Sequence, residues 1–147
     1  MAYEGLAAVW PHLGEDPSMG HYAERVNGMP KYVASHTLTR AEWANTTILS
    51  GDVAEEVAKL KEGSGGEIHV SGSSDLIQTL LRHDLVDEFV LLVFPVVVGP
   101  GKRLFGEGTL PRGMELVETT TTGTGVTIST FRRRGPLEVG AVGPEQE

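Results

Sequence analysis

The residues from Glu67 to Gly101 constrain the fold most, because their patterning passes from strand to turn to helix and back to strand. Glu67-Ile-His-Val alternates in the β manner and then meets Ser71-Gly72-Ser73-Ser74-Asp75, the composition of a tight turn feeding a helix. Gly72 can take a positive φ or admit a ligand close to the backbone, and Ser73, Ser74 and Asp75 are all suited to N-capping. Leu76, Ile77, Leu80 and Leu81 share one helical stripe. Phe89-Val-Leu-Leu-Val-Phe-Pro-Val-Val-Val is nearly all apolar and predicts a strand within Val86 to Val98, covered on both faces. Strand, turn, helix and strand within about 30 residues make a βαβ unit with a right-handed crossover.

Two readings of this turn stand side by side. A helix start presents N–H groups at the positive end of its dipole, so the turn can cradle a phosphate or pyrophosphate. It can equally be an ordinary capped βα turn, since it falls short of a full G-x-G-x-x-G. The net charge of -8 bears on the choice. It argues against a nucleic-acid partner, which needs a basic face, and leaves an anionic ligand to local N–H groups and a few placed cations. With no cysteine, disulfides, thiolate metal sites and a cysteine nucleophile are excluded. No apolar run reaches a membrane span and no leader is read at the start, so a cytoplasmic protein with no membrane partner is expected.

In chain order, Tyr3 to Trp10 reads as a short helix stopped by Pro11. His21 to Val26 reads as a further helical turn, ended by Asn27-Gly28. Lys31 to Leu38 predicts a strand whose end carries Ser35, His36 and Thr37, and Thr46 to Leu49 a second strand. Asp52 caps the next helix, with Glu55 and Glu56 in its first turn and Lys59 and Lys61 in its last, as the dipole prefers. Gly63-Ser-Gly-Gly ends it. After the central unit come a glycine-punctuated loop, Gly99 to Gly106, and a hairpin of Met114 to Thr121 and Thr124 to Arg132 around Thr122-Gly123. The expectation is one domain over residues 1–133, followed by a disordered tail over 134–147.

The residues by themselves offer little acid–base machinery. The five histidines show no metal-ligand spacing, no G-x-S-x-G occurs, and the adjacent Asp87 and Glu88 point to opposite faces of a strand and form its solvated start. No catalytic residue and no metal ligand is assigned. A possible anion cradle and a polar strand end suit a cofactor that brings its own chemistry.

Val70-Ser-Gly-Ser-Ser-Asp-Leu, the leucine-rich helix, Leu85-Val-Asp-Glu-Phe and Pro95-Val-Val-Val-Gly-Pro-Gly-Lys-Arg-Leu-Phe resemble the dihydrofolate reductase-like family. The nearest branch holds the reductase domain of the bifunctional riboflavin-biosynthesis deaminase/reductase. The resemblance implies an α/β, three-layer fold: a mixed, mostly parallel sheet flanked by helices, with a C-terminal antiparallel hairpin. It implies hydride transfer from NADPH to a heterocyclic small-molecule substrate. Gly72, Ser73, Ser74, Asp75 and Leu76 would wrap the cofactor's pyrophosphate, Ser35 and Thr37 its adenosine end, and Gly99 and Gly101 would border the substrate. Many relatives carry an arginine where this chain has His36, and an arginine holds a 2′-phosphate with a fixed fork. Met1-Ala-Tyr-Glu aligns inside a family motif, so the first strand and helix are expected to be missing. An open sheet edge of that kind can pair with a second copy, giving a homodimer. The alternative is a catalytically dead remnant that binds nucleotide or self-associates without turnover.

Overall fold

The computed structural model describes residues 2–107 and 109–138 and divides the chain into two compact units, residues 1–79 and 80–147. The fold is mixed α/β, with one parallel and one antiparallel sheet. The first unit contains α1 (Ala2–Val9), a 3₁₀ turn (Trp10–His12), α2 (Gly20–Gly28), β1 (Lys31–Ala34), β2 (Thr46–Leu49) and α3 (Val53–Glu62). In the second lie β3 (Glu88–Val93), β4 (Gly113–Thr121) and β5 (Thr127–Gly135). Helix α4 (Ser74–Arg82) runs across the boundary.

The first unit is held by side chains that serve backbone groups. β1 and β2 pair in parallel, from Lys31 opposite Thr46 to Ala34 opposite Leu49. The end of α2 leaves carbonyls without helical partners, and the Lys31 ammonium donates to those of Val26, Asn27 and Met29 at 3.0, 2.9 and 2.8 Å. The same ammonium lies 4.8 Å from the centre of the Trp43 ring. Asn27 completes the lock: its amide donates to the Trp10 carbonyl at 3.0 Å, and its Oδ1 accepts the Trp43 indole N–H at 2.7 Å. Trp43, Ala23, Leu49 and Ala54 are the buried apolar residues of this unit. α3 begins as its sequence requires, Asp52 Oδ1 accepting the Glu55 N–H at 3.0 Å.

The second unit is a three-stranded antiparallel sheet in the order β3-β5-β4. β4 and β5 form the expected hairpin, but its turn differs from the Thr122-Gly123 expectation. Gly125, at φ +84°, takes the left-handed position, with Gly125 N–H donating to Thr122 O and Thr122 N–H to Val126 O, both at 2.9 Å. A turn closed by a left-handed glycine matches the twist of the flanking strands, whereas a turn centred on Gly123 would put a threonine in that position.

Three other expectations are corrected. Residues 67–70 form no strand: none of them pairs in a sheet, and Ile68 and Val70 are exposed. The strand expected within Val86 to Val98 is shorter, ending at Val93, and is not covered on both faces. β3 buries Phe89 alone, and Val97 is 100% exposed. β3 pairs with β5 in antiparallel register, Glu88 opposite Arg132 through Val93 opposite Thr127, so no parallel βαβ unit forms here. Apolar composition predicts a strand that wants cover, but ladder formation needs a partner, and neighbouring strands are set by long-range pairing. Third, β5 continues through Arg134 and Gly135, beyond the expected end of the domain. Of the expected tail, residues 139–147 lie outside the described residues.

Asp16 folds the loop ahead of α2, accepting from Ser18 N–H, Ser18 Oγ and Met19 N–H at 2.8, 2.6 and 2.9 Å, while its carbonyl accepts the Gly20 N–H at 2.7 Å. This draws Gly20 so close to Gly14 that a Cβ would sit 2.6 Å from the Gly14 carbonyl oxygen. Gly20→Ala should therefore destabilise the first unit by about 1–3 kcal/mol, the usual cost of overpacking a close approach. Urea denaturation followed by far-UV circular dichroism measures it, and an unchanged midpoint would show that the loop is free to move away.

Candidate functional site

Two places bring together residues suited to holding a ligand. The first is the start of α4. Gly72 is left-handed, at φ +66°, and the space its Cβ would occupy holds no atom within 4 Å. The backbone of this turn is thus open to approach. Ser73 is the N-cap residue, its carbonyl accepting the Ile77 N–H at 2.9 Å, and its hydroxyl donates to the Ser71 carbonyl at 3.3 Å. Ser74, Asp75 and Leu76 form the first turn of the helix that follows. Asp75 is exposed, whereas Gly72's neighbours Ser73 and Ser74 are half-buried.

The strand end after β1 lies in the same unit. Ser35 leaves the sheet after its N–H donates to Leu49 O at 3.2 Å, and its Oγ accepts N–H groups of Thr37 and Leu38 at 3.3 and 3.0 Å. This side-chain turn competes with the ladder and ends β1 at Ala34, four residues before the expected Leu38. Ser35 Oγ also faces the Thr37 hydroxyl, and either of the two can donate to the other. Thr37 Oγ1 lies 3.4 Å away. Gly99 and Gly101 fall in the second unit, on the exposed loop after β3, with Gly99 at φ +84°. The structure thus gathers Ser35 with Thr37, and Gly72 through Leu76 in one turn.

The second place was not foreseen from the sequence. Asp84 ends α4 in the left-handed conformation, φ +57°. Leu85 N–H donates to Leu80 O at 2.9 Å and Asp84 N–H to Leu81 O at 3.2 Å, the paired bonds of a Schellman motif. Its carboxylate receives Arg112 Nε at 3.0 Å on one oxygen and Arg133 Nη1 at 2.9 Å on the other. Arg133 also reaches the Asp84 carbonyl at 3.0 Å and Asp87 Oδ1 at 3.4 Å. Asp87 and Glu88, expected to be merely solvated, are each paired with an arginine of β5, Glu88 with Arg132 at 3.1 Å. The hint in the sequence was an aspartate where a helix end favours glycine. Its arginine partners lie too far along the chain for spacing to reveal.

Among the described residues no group of three or more histidine or acidic side chains could hold a metal ion, and no helix is long and apolar enough to cross a membrane.

The hydrogen bond from Arg112, and after it that from Arg133, hold the Asp84 carboxyl below the usual carboxylate range. A depressed native pKa gives stability that is present above the unfolded pKa and lost as pH falls through the native one. Asp16 acts in the same direction through its bonds from Ser18 and Met19. The urea midpoint should therefore fall as pH drops below about 4. Asp84→Asn should lower the midpoint at neutral pH and flatten part of that acid slope. A mutant slope as steep as the wild type's would remove Asp84 from the effect.

Residues 4–128 match the RibD C-terminal domain family. The chain is 37% identical over 111 residues to the uncharacterized protein YyaP of Bacillus subtilis (strain 168), covering 75% of this chain and 58% of that protein. It is 34% identical over 65 residues to the uncharacterized protein YwjB of the same organism, covering 44% of this chain and 37% of that one. Among solved structures it is similar to a "putative riboflavin biosynthesis protein" of Shewanella sp. PV-4, with TM-score 0.64 and 26% identity over 73% of this chain and 62% of that chain. The chain thus spans between 37% and 62% of the length of these relatives.

Proposed function

This chain belongs to the RibD C-terminal domain family, and on that premise we propose that it is an NADPH-dependent reductase. Its substrate class is a heterocyclic or related small molecule, reduced at a C=N or C=O bond, as in the reductases of riboflavin and folate metabolism. Bound NADPH would supply the hydride. The observation that carries the reading is the left-handed Gly72 turn opening α4, which lies inside the family match.

The residues fit such a cofactor. The Gly72 turn has open space on its exposed side, and the backbone N–H groups from Gly72 to Leu76 would hold the pyrophosphate against the helix dipole. The Ser35 hydroxyl, already fixed by two backbone donors, would donate to the adenosine end together with Thr37. Backbone and hydroxyl donors bind an anion without requiring a basic surface, which suits a chain of net charge -8. Gly99 and Gly101 would border the substrate. We assign the chain to homodimers through the outer edge of β3, where Val90, Leu92 and Val93 are exposed and a second strand can add.

Melting the protein with and without NADPH, with NADH as control, tests the cofactor assignment. Ligand at 100 times Kd should add about 2.7 kcal/mol, seen as a midpoint raised by several degrees. No rise in a cooperatively melting chain would sink the assignment. Substrate-dependent loss of NADPH absorbance then separates a reductase from a nucleotide-binding remnant. Gly72→Ala should cost about 1–2 kcal/mol, because a left-handed residue with a Cβ is strained, and should diminish the NADPH-induced rise. A full rise in that variant would move the pyrophosphate site elsewhere.

A further inference from the structure

The second unit contains a cavity of about 430 Å³ that the cofactor and substrate assignments leave unused. Its volume lies within the range of small-molecule sites. Leu81, Val86, Phe89, Phe105, Leu110 and Met114 give it a largely apolar wall. Phe89 and Phe105 meet edge to face there, ring centres 5.6 Å apart. Asp84, Arg112 and Arg133 line the same cavity and, with Arg134, an adjoining one of about 520 Å³.

Two features make this polar side more than a chance ion pair. First, Arg133 and Arg134 are consecutive on β5, and consecutive strand residues ordinarily face opposite ways. The ladder slips between Gly113 opposite Gly135 and Met114 opposite Arg133, so Arg134 is the extra residue of a bulge. Bulges re-aim side chains, and both arginines line one cavity. Second, three guanidiniums line it, against the carboxylate of Asp84 and that of Asp87, which pairs with Arg133. Asp84 grips Arg112 through Nε, and Arg112 Nη1 donates to the Pro111 carbonyl at 3.5 Å, which fixes the plane of a guanidinium whose charge suits an acidic group. A local positive site in a chain of net charge -8 selects anions at short range.

We propose that the second unit binds an aromatic acid, a one- or two-ring molecule bearing a carboxylate, sulfonate or phosphate. The ring enters the cavity beside Phe89 and Phe105, and the acidic group meets Arg112 and Arg134. This site is independent of the reductase reading, since neither the Gly72 turn nor Gly99 and Gly101 line it.

Fluorescence titration of the full chain with 8-anilinonaphthalene-1-sulfonate tests this, with the uncharged N-phenyl-1-naphthylamine as the same ring system lacking the acid. The sulfonate should bind saturably and more tightly than the neutral probe. Arg112→Gln and Arg134→Gln should each weaken the sulfonate by about tenfold, as loss of a charge-assisted hydrogen bond implies, and leave the neutral probe within about twofold. Far-UV circular dichroism melts confirm that each variant folds. Should Arg112→Gln fail to fold, Arg134→Gln decides alone, because it lies outside the Asp84 bridges. Equal binding of the two probes, non-saturating binding, or an unmoved sulfonate affinity in the folded variants would overturn the proposal. Displacement of the sulfonate by NADPH would also overturn it, by assigning the probe to the cofactor site.

Discussion

The carboxylate of Asp84 ties together the parts of the second unit that bear on ligands. It stands at the end of α4, and its two oxygens take Arg112, from the segment entering β4, and Arg133, from β5. A left-handed non-glycine residue costs about 1–2 kcal/mol, and aspartate is among the few side chains that tolerate the conformation. That cost is offset by a network rather than by one contact. Single exposed ion pairs contribute at most about 1 kcal/mol, but Arg133 joins Asp84 to Asp87 and bonds the Asp84 carbonyl as well. The helix end, the hairpin and the polar wall of the cavity are therefore one mechanical piece.

The first unit solves a different problem. Its parallel strand pair is only four residues long, too short to stand on ladder bonds alone, so side chains close the backbone of the surrounding segments. Lys31 stops α2, Asn27 joins the 3₁₀ turn to the Trp43 indole, and Trp43 fills the core. The same economy shapes its candidate cofactor groups. Ser35 and the Gly72 turn present backbone and hydroxyl donors, whose direction is fixed locally, and not side-chain cations whose field an acidic chain would weaken.

The apolar segment from β3 to Val98 places a further demand on the protein. Phe94, Val96, Val97 and Val98 are all exposed, as are Val90 and Leu92 on the strand before them. Apolar surface of that extent gains about 25 cal/mol per Å² when covered, and β3 pairs through only one of its edges in this sheet. Cover for this segment and a partner for that edge are the same physical requirement.

Features whose causes lie within a few residues were legible in the sequence. Asp52 reaches Glu55 three positions on and caps α3, and Gly72 bends a serine-rich turn into α4. The β4–β5 hairpin follows from alternation and proximity, although its glycine proved to be Gly125. The α/β class and the family resemblance rest on such local signals. Long-range pairing decided the rest. Glu67–Val70 alternates like a strand but has no ladder here, because a strand exists only with a neighbour to accept its bonds. The meeting of Asp84 with Arg112 and Arg133, and the bulge that brings Arg134 beside them, depend on the register of β3, β4 and β5. By itself the sequence determined the caps, turns and hydrophobic stripes, since those energies act between near neighbours along the chain. Which strands pair, and which distant charges share a cavity, only the tertiary structure decided, because those energies arise after the backbone has brought remote residues together.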